Sequence, residues 1–120
     1  MPALLNIDIF VGNSGVAENP DGIVFDWLDN NGIALDLTGY EFIFRVISGS
    51  ADTSTELIRK TSSNNEINIV GSRITIPITI AETRLINSAK RYEIESRIDG
   101  SERTILYGVL NPIGGANDDS

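Results

Sequence analysis

Glu93 and Glu95 stand two residues apart in "RYEIESRI" and form the most chemically suggestive pair in the chain. In an extended strand, alternate residues share a face about 7 Å apart. A separation of that order suits the acid and base of a glycoside hydrolase. The same face carries Arg91 and Arg97 on either side of the pair. Such alternation is what a solvated strand face displays, and a perturbed carboxylate needs a pocket that nothing here signals. The pair is therefore expected to be exposed and unreactive.

A second candidate is "DNNG", Asp29 to Gly32. A calcium loop of the EF type needs oxygen ligands at alternate positions ahead of its glycine. Counting back from Gly32 gives Asn31, Asp29 and Trp27, and an indole cannot ligate. A hairpin turn is expected instead, since Asn-Gly tolerates the positive φ of a type I′ turn. Asp118 and Asp119 read as a solvated tail. The chain has no histidine and no cysteine. That removes the commonest general base and zinc ligand, thiol nucleophiles and disulfides together. No catalytic, cofactor-binding or metal-ligating residue is assigned, and no cofactor is expected.

Aromatic pairs could stack on sugars. Phe25 with Trp27, and Phe42 with Phe44, have strand spacing, but their apolar neighbours make them core residues. Tyr40 and Tyr107 are the freer candidates for surface contact. A sugar-binding module should open at least two aromatic faces to solvent on one surface.

The elements that must position these residues are strands. The 120 residues suit one domain over 1–120. "LLNIDIFVG" alternates Ile7, Ile9 and Val11 against Asn6, Asp8 and Phe10; "IVFDWLD", "YEFIFRVIS", "ELIRKT", "INIV" and "RITIPITI" follow. In "YEFIFRVIS" both faces are apolar, as in a central strand. In "RITIPITI", Ile74, Ile76, Ile78 and Ile80 face one way, and Pro77 demands an edge or an outward position. "ELIRKT" could be an edge that accepts a neighbour's strand, or an edge protected by Arg59 and Lys60. Thr79 with Glu82 forms a capping box for a helix of about two turns at most. Asp99-Gly100 then turns a hairpin, with Tyr92, Ile94 and Ile98 inward and Glu95 opposite Arg103. Short strands at even spacing predict an all-β sandwich of about seven to eight antiparallel strands with one short helical turn. Trp27, Phe44, Ile76, Tyr92 and Ile94 are its expected buried residues. The ends, 1–4 and 114–120, are expected to be flexible.

The formal net charge is −8, which repels phosphate backbones, so nucleic acid is not an expected partner. The acidity reads as a solubility device. No apolar run approaches the roughly 18 residues of a membrane span. "MPALLNIDIF" lacks a basic region and is not a signal peptide, so use without secretory export is expected.

From Asp36 onward the chain resembles a phage structural family. "ALDLTGYEFIFRV" is similar to the "DLTG" strand entry of the small proteins and N-terminal domains related to phage baseplate upper proteins. "ITIPITIAETRLINSAKRYEIESRIDGSERTILYGVL" is similar to that family's strand, short-helix and hairpin unit, with Thr83, Tyr92, Asp99-Gly100, Leu106 and Gly108 in order. The likeness runs from about Ile23 to Leu110. It implies an immunoglobulin-like sandwich in a virion, made in the host cytoplasm and placed at the tail, baseplate, neck, fibre attachment or capsid. It implies association with other virion proteins, in multiple copies around a symmetry axis, and no catalytic residues. Members usually continue into fibrous or receptor-binding regions; a chain of this length is expected to act as an adaptor or decoration. A carbohydrate-binding module on the virion surface is the alternative. In immunoglobulin-type domains a tyrosine two residues before the second cysteine bonds back across a corner; Tyr92 is placed for that, with Ile94 in the cysteine's position. "MPALL", "NSGVAENPDG" and "IGGANDDS" are the segments expected to carry docking contacts.

Overall fold

The computed structural model describes residues 3–29, 31–48 and 55–113. In chain order these form β1 (Ala3–Leu4), β2 (Ile7–Phe10), β3 (Ile23–Asp26), β4 (Glu41–Ser48), β5 (Thr55–Thr61), β6 (Asn68–Val70), β7 (Arg73–Ile76), α1 (Ile80–Thr83), β8 (Lys90–Ile98) and β9 (Ser101–Ile113). The larger sheet has the order β1-β9-β8-β4-β5, with β2 beside β9 on the same flank as β1. The smaller sheet is β3-β7-β6. The pairing is antiparallel except that β1 and β2 run parallel to β9. One core joins the two sheets: Phe42, Phe44 and Val46 from β4 and Ile94 from β8 meet Ile74 and Ile76 from β7. The chain is an all-β sandwich with one short helix, as the strand pattern predicts.

The alternation in β4 explains the core. Phe42, Phe44 and Val46 face the smaller sheet and are fully buried, and β4 is central, between β8 and β5. Asp99 and Gly100 both take positive φ, 49° and 78°, so the β8–β9 turn has the backbone that a two-residue hairpin needs. Both halves of the capping box form: the Glu82 N–H donates to Thr79 Oγ1 at 3.1 Å, and the Thr79 N–H donates to Glu82 Oε1 at 2.9 Å. The helix it starts is a single turn.

Several expectations need correction. The isoleucine run does not continue its parity: Ile74, Ile76 and Ile78 are buried, but Ile80 is 43% exposed. β7 ends at Ile76, and past Pro77 the chain turns into the helix, where period two no longer applies. β7 is the middle strand of its sheet, with Pro77 one residue beyond it. Trp27 and Ile98 are half-buried rather than buried. In the "DNNG" turn the positive φ falls on Gly32 and not on Asn31. Asp29 organises the turn by accepting the N–H groups of Asn31 and Ile33 at 2.8 and 3.0 Å, an Asx-type arrangement. Asn30, the loop 49–54 and the tail 114–120 lie outside the described residues.

The N-terminal strand is split, which raises the strand number to nine among the described residues. Ala3–Leu4, expected as part of a flexible end, pairs with Leu106 and Tyr107. At the break, the Tyr92 hydroxyl donates to the Leu5 carbonyl at 2.6 Å, and the Val109 N–H donates to Asn6 Oδ1 at 3.1 Å. A Cβ at position 108 would collide with the Leu5 carbonyl oxygen, so Gly108 is a steric requirement. The tyrosine therefore ties the first strand to β8 rather than bridging the helical corner.

Two measurements follow from this packing. Phe44→Ala is expected to cost about 3–5 kcal/mol, the range for a core phenylalanine, read by urea denaturation. Tyr92 gives a pH signature. Burial raises its phenol above the ordinary value, so the folded state keeps a proton that the unfolded chain loses near pH about 10. The contribution is complete below that pH and declines above it, by up to about 1.4 kcal/mol per pH unit for one proton. Tyr92→Phe should remove this alkaline decline and cost about 0.5–1.5 kcal/mol at neutral pH through the lost hydrogen bond. Denaturation of both proteins at neutral and alkaline pH reads the difference.

Candidate functional site

The outer face of the larger sheet carries the residues with chemical potential. Leu4, Tyr107, Glu93, Arg45 and Arg59 lie in one row across its strands. Arg45 sits between Glu93 and Glu56: its guanidinium donates to Glu93 and approaches Glu56 at 3.8 Å. Arg59 reaches the same Glu56 at 3.4 Å. One position along, Arg97 Nε donates to Glu95 at 2.9 Å and lies 3.4 Å from Glu102. The hydrogen bonds to Glu93 and Glu95 hold both guanidinium groups above their usual pKa.

This arrangement corrects the expectation of freely solvated carboxylates. Glu93 and Glu95 share a face, but each is tied to its own arginine. The expected Glu95–Arg103 pair does not form. The two-residue Asp99-Gly100 turn pairs Ile98 with Ser101, and the ladder counted from it places Glu95 opposite Thr104 and Ser96 opposite Arg103; the bulge comes after these pairs, so that Ile94 faces Leu106. The Arg45 Nε is buried without a partner. Ile43 is 2% exposed although it faces this outer side. It lies in register between Thr61 and Glu95, so the charged layer stands over an apolar floor.

The free strands of the larger sheet differ. β5 ("ELIRKT") is an edge, as one reading of the sequence had it. Its ladder to β4 is bulged between Val46 and Ile47. Both outward backbone groups of Thr61 are taken by Glu66, whose N–H donates to the Thr61 carbonyl at 3.1 Å and whose Oε1 accepts the Thr61 N–H at 3.3 Å. Lys60 points inward: its side chain is 8% exposed, its Nζ donates to the Pro77 carbonyl and lies 2.6 Å from Glu82 Oε1. Bulges and inward charges are devices that discourage edge pairing, so the geometry favours a protected edge. The sequence carried a signal for Lys60, because it shares parity with the buried Ile58.

The opposite flank is open. Leu4 is 62% exposed, Leu5 46% and Tyr107 41%, and Leu4 and Tyr107 are register partners. Beside them β2 is screened by the loop from Asn13 to Gly22, whose Ala17 N–H donates to the Asp8 carbonyl at 2.9 Å. A cleft of about 270 Å³ separates β2 from β3 there, and Asp8 and Glu18 line it. All nine Lys and Arg residues occur from Arg45 onward, whereas seven of the seventeen acidic residues precede it. The first two strands and the 13–22 loop therefore carry acidic side chains and no basic ones, while Arg45 and Arg91 share a depression with Tyr107 on the neighbouring sheet face. Of the two aromatics expected at the surface, Tyr107 is exposed, while Tyr40 is half-buried and packs edge-to-face on Trp27 with centroids 5.3 Å apart. Among the described residues no group of three acidic side chains is placed to hold a metal.

No protein-family model matches the chain, and no curated protein matches it.

A double-mutant cycle on Arg45 and Glu93, using Arg45→Met and Glu93→Gln, tests whether the outer layer is a coupled lattice. The pair is about one-third exposed, so a coupling of about 0.5–1 kcal/mol is expected. It should shrink as salt is raised. Urea denaturation of the four proteins at low and high salt measures it.

Proposed function

We propose that this chain is a phage virion structural protein, a small adaptor or decoration domain that acts by protein–protein contact at the tail, baseplate, neck, fibre attachment or capsid. The likeness of "DLTG" and of the helix–hairpin unit to phage baseplate-related domains motivates the virion setting. The observation that carries the mode of action is the contrast between the two flanks of the larger sheet. β5 is bulged and holds its lysine inward, while the N-terminal flank presents Leu4, Leu5 and Tyr107 to solvent beside an acidic surface.

Exposed apolar side chains next to one sign of charge suit a docking surface. The partner surface that fits has an apolar patch with a basic rim. One such patch is small, and stable attachment would rest on several copies bound around a symmetry axis. The tail from Gly114, which carries Asp118-Asp119, is the second contact proposed, again toward a basic surface.

The test is incorporation into particles. Leu4→Ser with Leu5→Ser, and separately deletion from Gly114, should each leave the melting temperature of the isolated domain close to wild type, because surface changes usually stay within about 0.5 kcal/mol. Each should lower the amount of the protein in purified virions, measured by quantitative mass spectrometry. Normal incorporation of both variants would move the contact to the sheet faces. Absence of the wild-type protein from virions would overturn the reading.

A further inference from the structure

Away from that flank, at the end of the sandwich where the 29–33 turn meets the β8–β9 hairpin, lies an open depression of about 390 Å³. Small-molecule sites typically measure roughly 300–1,000 Å³. Trp27, Tyr40 and Ile98 are among its apolar lining residues, and Asp29, Ser101 and Arg103 among its polar ones. The aromatic part is rigidly founded. Trp27 and Tyr40 meet edge-to-face at 5.3 Å, and Tyr40 stacks on Phe42 at 6.0 Å with 22° between planes. Phe42 is fully buried, so the two lining rings are anchored to the core.

The polar groups are available. The Trp27 indole N–H and the Tyr40 hydroxyl have no hydrogen-bond partner among the described residues, and neither is buried. Arg45, Arg59, Arg73 and Arg97 each face an acid, but Arg103 has no ion pair among the described residues. Asp29 is pre-set: its Oδ1 accepts the N–H groups of Asn31 and Ile33, which fixes the carboxylate and leaves Oδ2 unpartnered.

We infer that this depression binds a neutral saccharide ring, seated in the corner between Trp27 and Tyr40, whose planes stand 73° apart, with its C–H face on one of the two rings and neighbouring hydroxyls shared between Asp29 and Arg103. The chemistry selects that class. Apolar ring walls suit the C–H face of a pyranose. A fixed carboxylate accepts hydroxyl protons, and a guanidinium fork donates to hydroxyl oxygens. An anionic ligand would meet the Asp29 carboxylate, and a purely apolar one would leave the carboxylate and guanidinium without partners as they lose water. The inference does not rest on the virion reading; a shallow single-ring site gains strength when several copies engage one glycan.

Trp27 is the one tryptophan in the chain, so its fluorescence reports occupancy directly. Glucose, galactose, N-acetylglucosamine and their β-linked disaccharides are titrated into the wild-type protein, with glucuronate as the anionic comparison. At least one neutral sugar should give a saturable emission change. Arg103→Ala should weaken it about tenfold, equivalent to about 1.4 kcal/mol. Asp29→Asn, which keeps the turn's acceptor, should weaken it similarly. Both variants should melt with the wild type, and amide shifts at Ser101 and Arg103 on titration locate the ligand independently of fluorescence. No response to any neutral sugar, a response that neither variant weakens, amide shifts elsewhere, or binding of glucuronate alone would each overturn the inference.

Discussion

The Leu5 carbonyl is the point through which the larger sheet is closed. It accepts the Tyr92 hydroxyl and occupies a space that any side chain at position 108 would fill. Three strands are joined by this contact: the N-terminal strand, β8 through its tyrosine and β9 through its glycine. The hydroxyl lies at the head of an otherwise apolar, buried side chain, so leaving it without an acceptor would cost more than the bond itself contributes. The break between β1 and β2 is the geometric consequence. The chain bends at Leu5 and Asn6, the Asn6 side chain supplies the acceptor for Val109, and parallel pairing resumes at Ile7.

That closure also decides what the surface offers. With the N-terminal strand held on β9, Leu4 is set beside Tyr107, and Asp8 and Glu18 lie along the same flank. The far flank is finished differently. Lys60 turns its ammonium toward Pro77 and Glu82, and Glu82 is at once the partner of that lysine and the capping residue of α1. A single carboxylate thus links the edge strand of one sheet to the corner that follows the middle strand of the other. Buried charge of this kind is a weak source of stability; here it ties β5 to α1.

The outer face between these flanks is a lattice of arginine and glutamate. Such a layer, about one-third exposed, contributes modestly to stability. Its consequence is that Glu93 and Glu95 are each held by an arginine, Arg45 and Arg97. Arg103, Asp29 Oδ2 and the polar ends of Trp27 and Tyr40, which have no partner among the described residues, lie together at one end of the sandwich. The flank proposed for association and the depression proposed for a saccharide are spatially separate and physically compatible.

The amino-acid order alone carried the features that depend on neighbours in sequence. Period-two alternation gave the two-faced β4 and the buried Phe42, Phe44 and Val46. The Asp-Gly turn and the Thr79–Glu82 capping box were legible because each is closed within two to four residues. What only the tertiary structure decided depends on long-range register. The bulge between Ile94 and Glu95 set Ile94 opposite Leu106 rather than Ile105, and the end of β7 at Ile76 turned Ile80 outward. The pairing of Lys60 with Glu82, and of Tyr92 with Leu5, joins residues far apart in the chain. Local geometry repeats and can be read from spacing. A one-residue shift in register changes every cross-strand partner, and that shift is set by the packing of two sheets, which no short stretch of sequence contains.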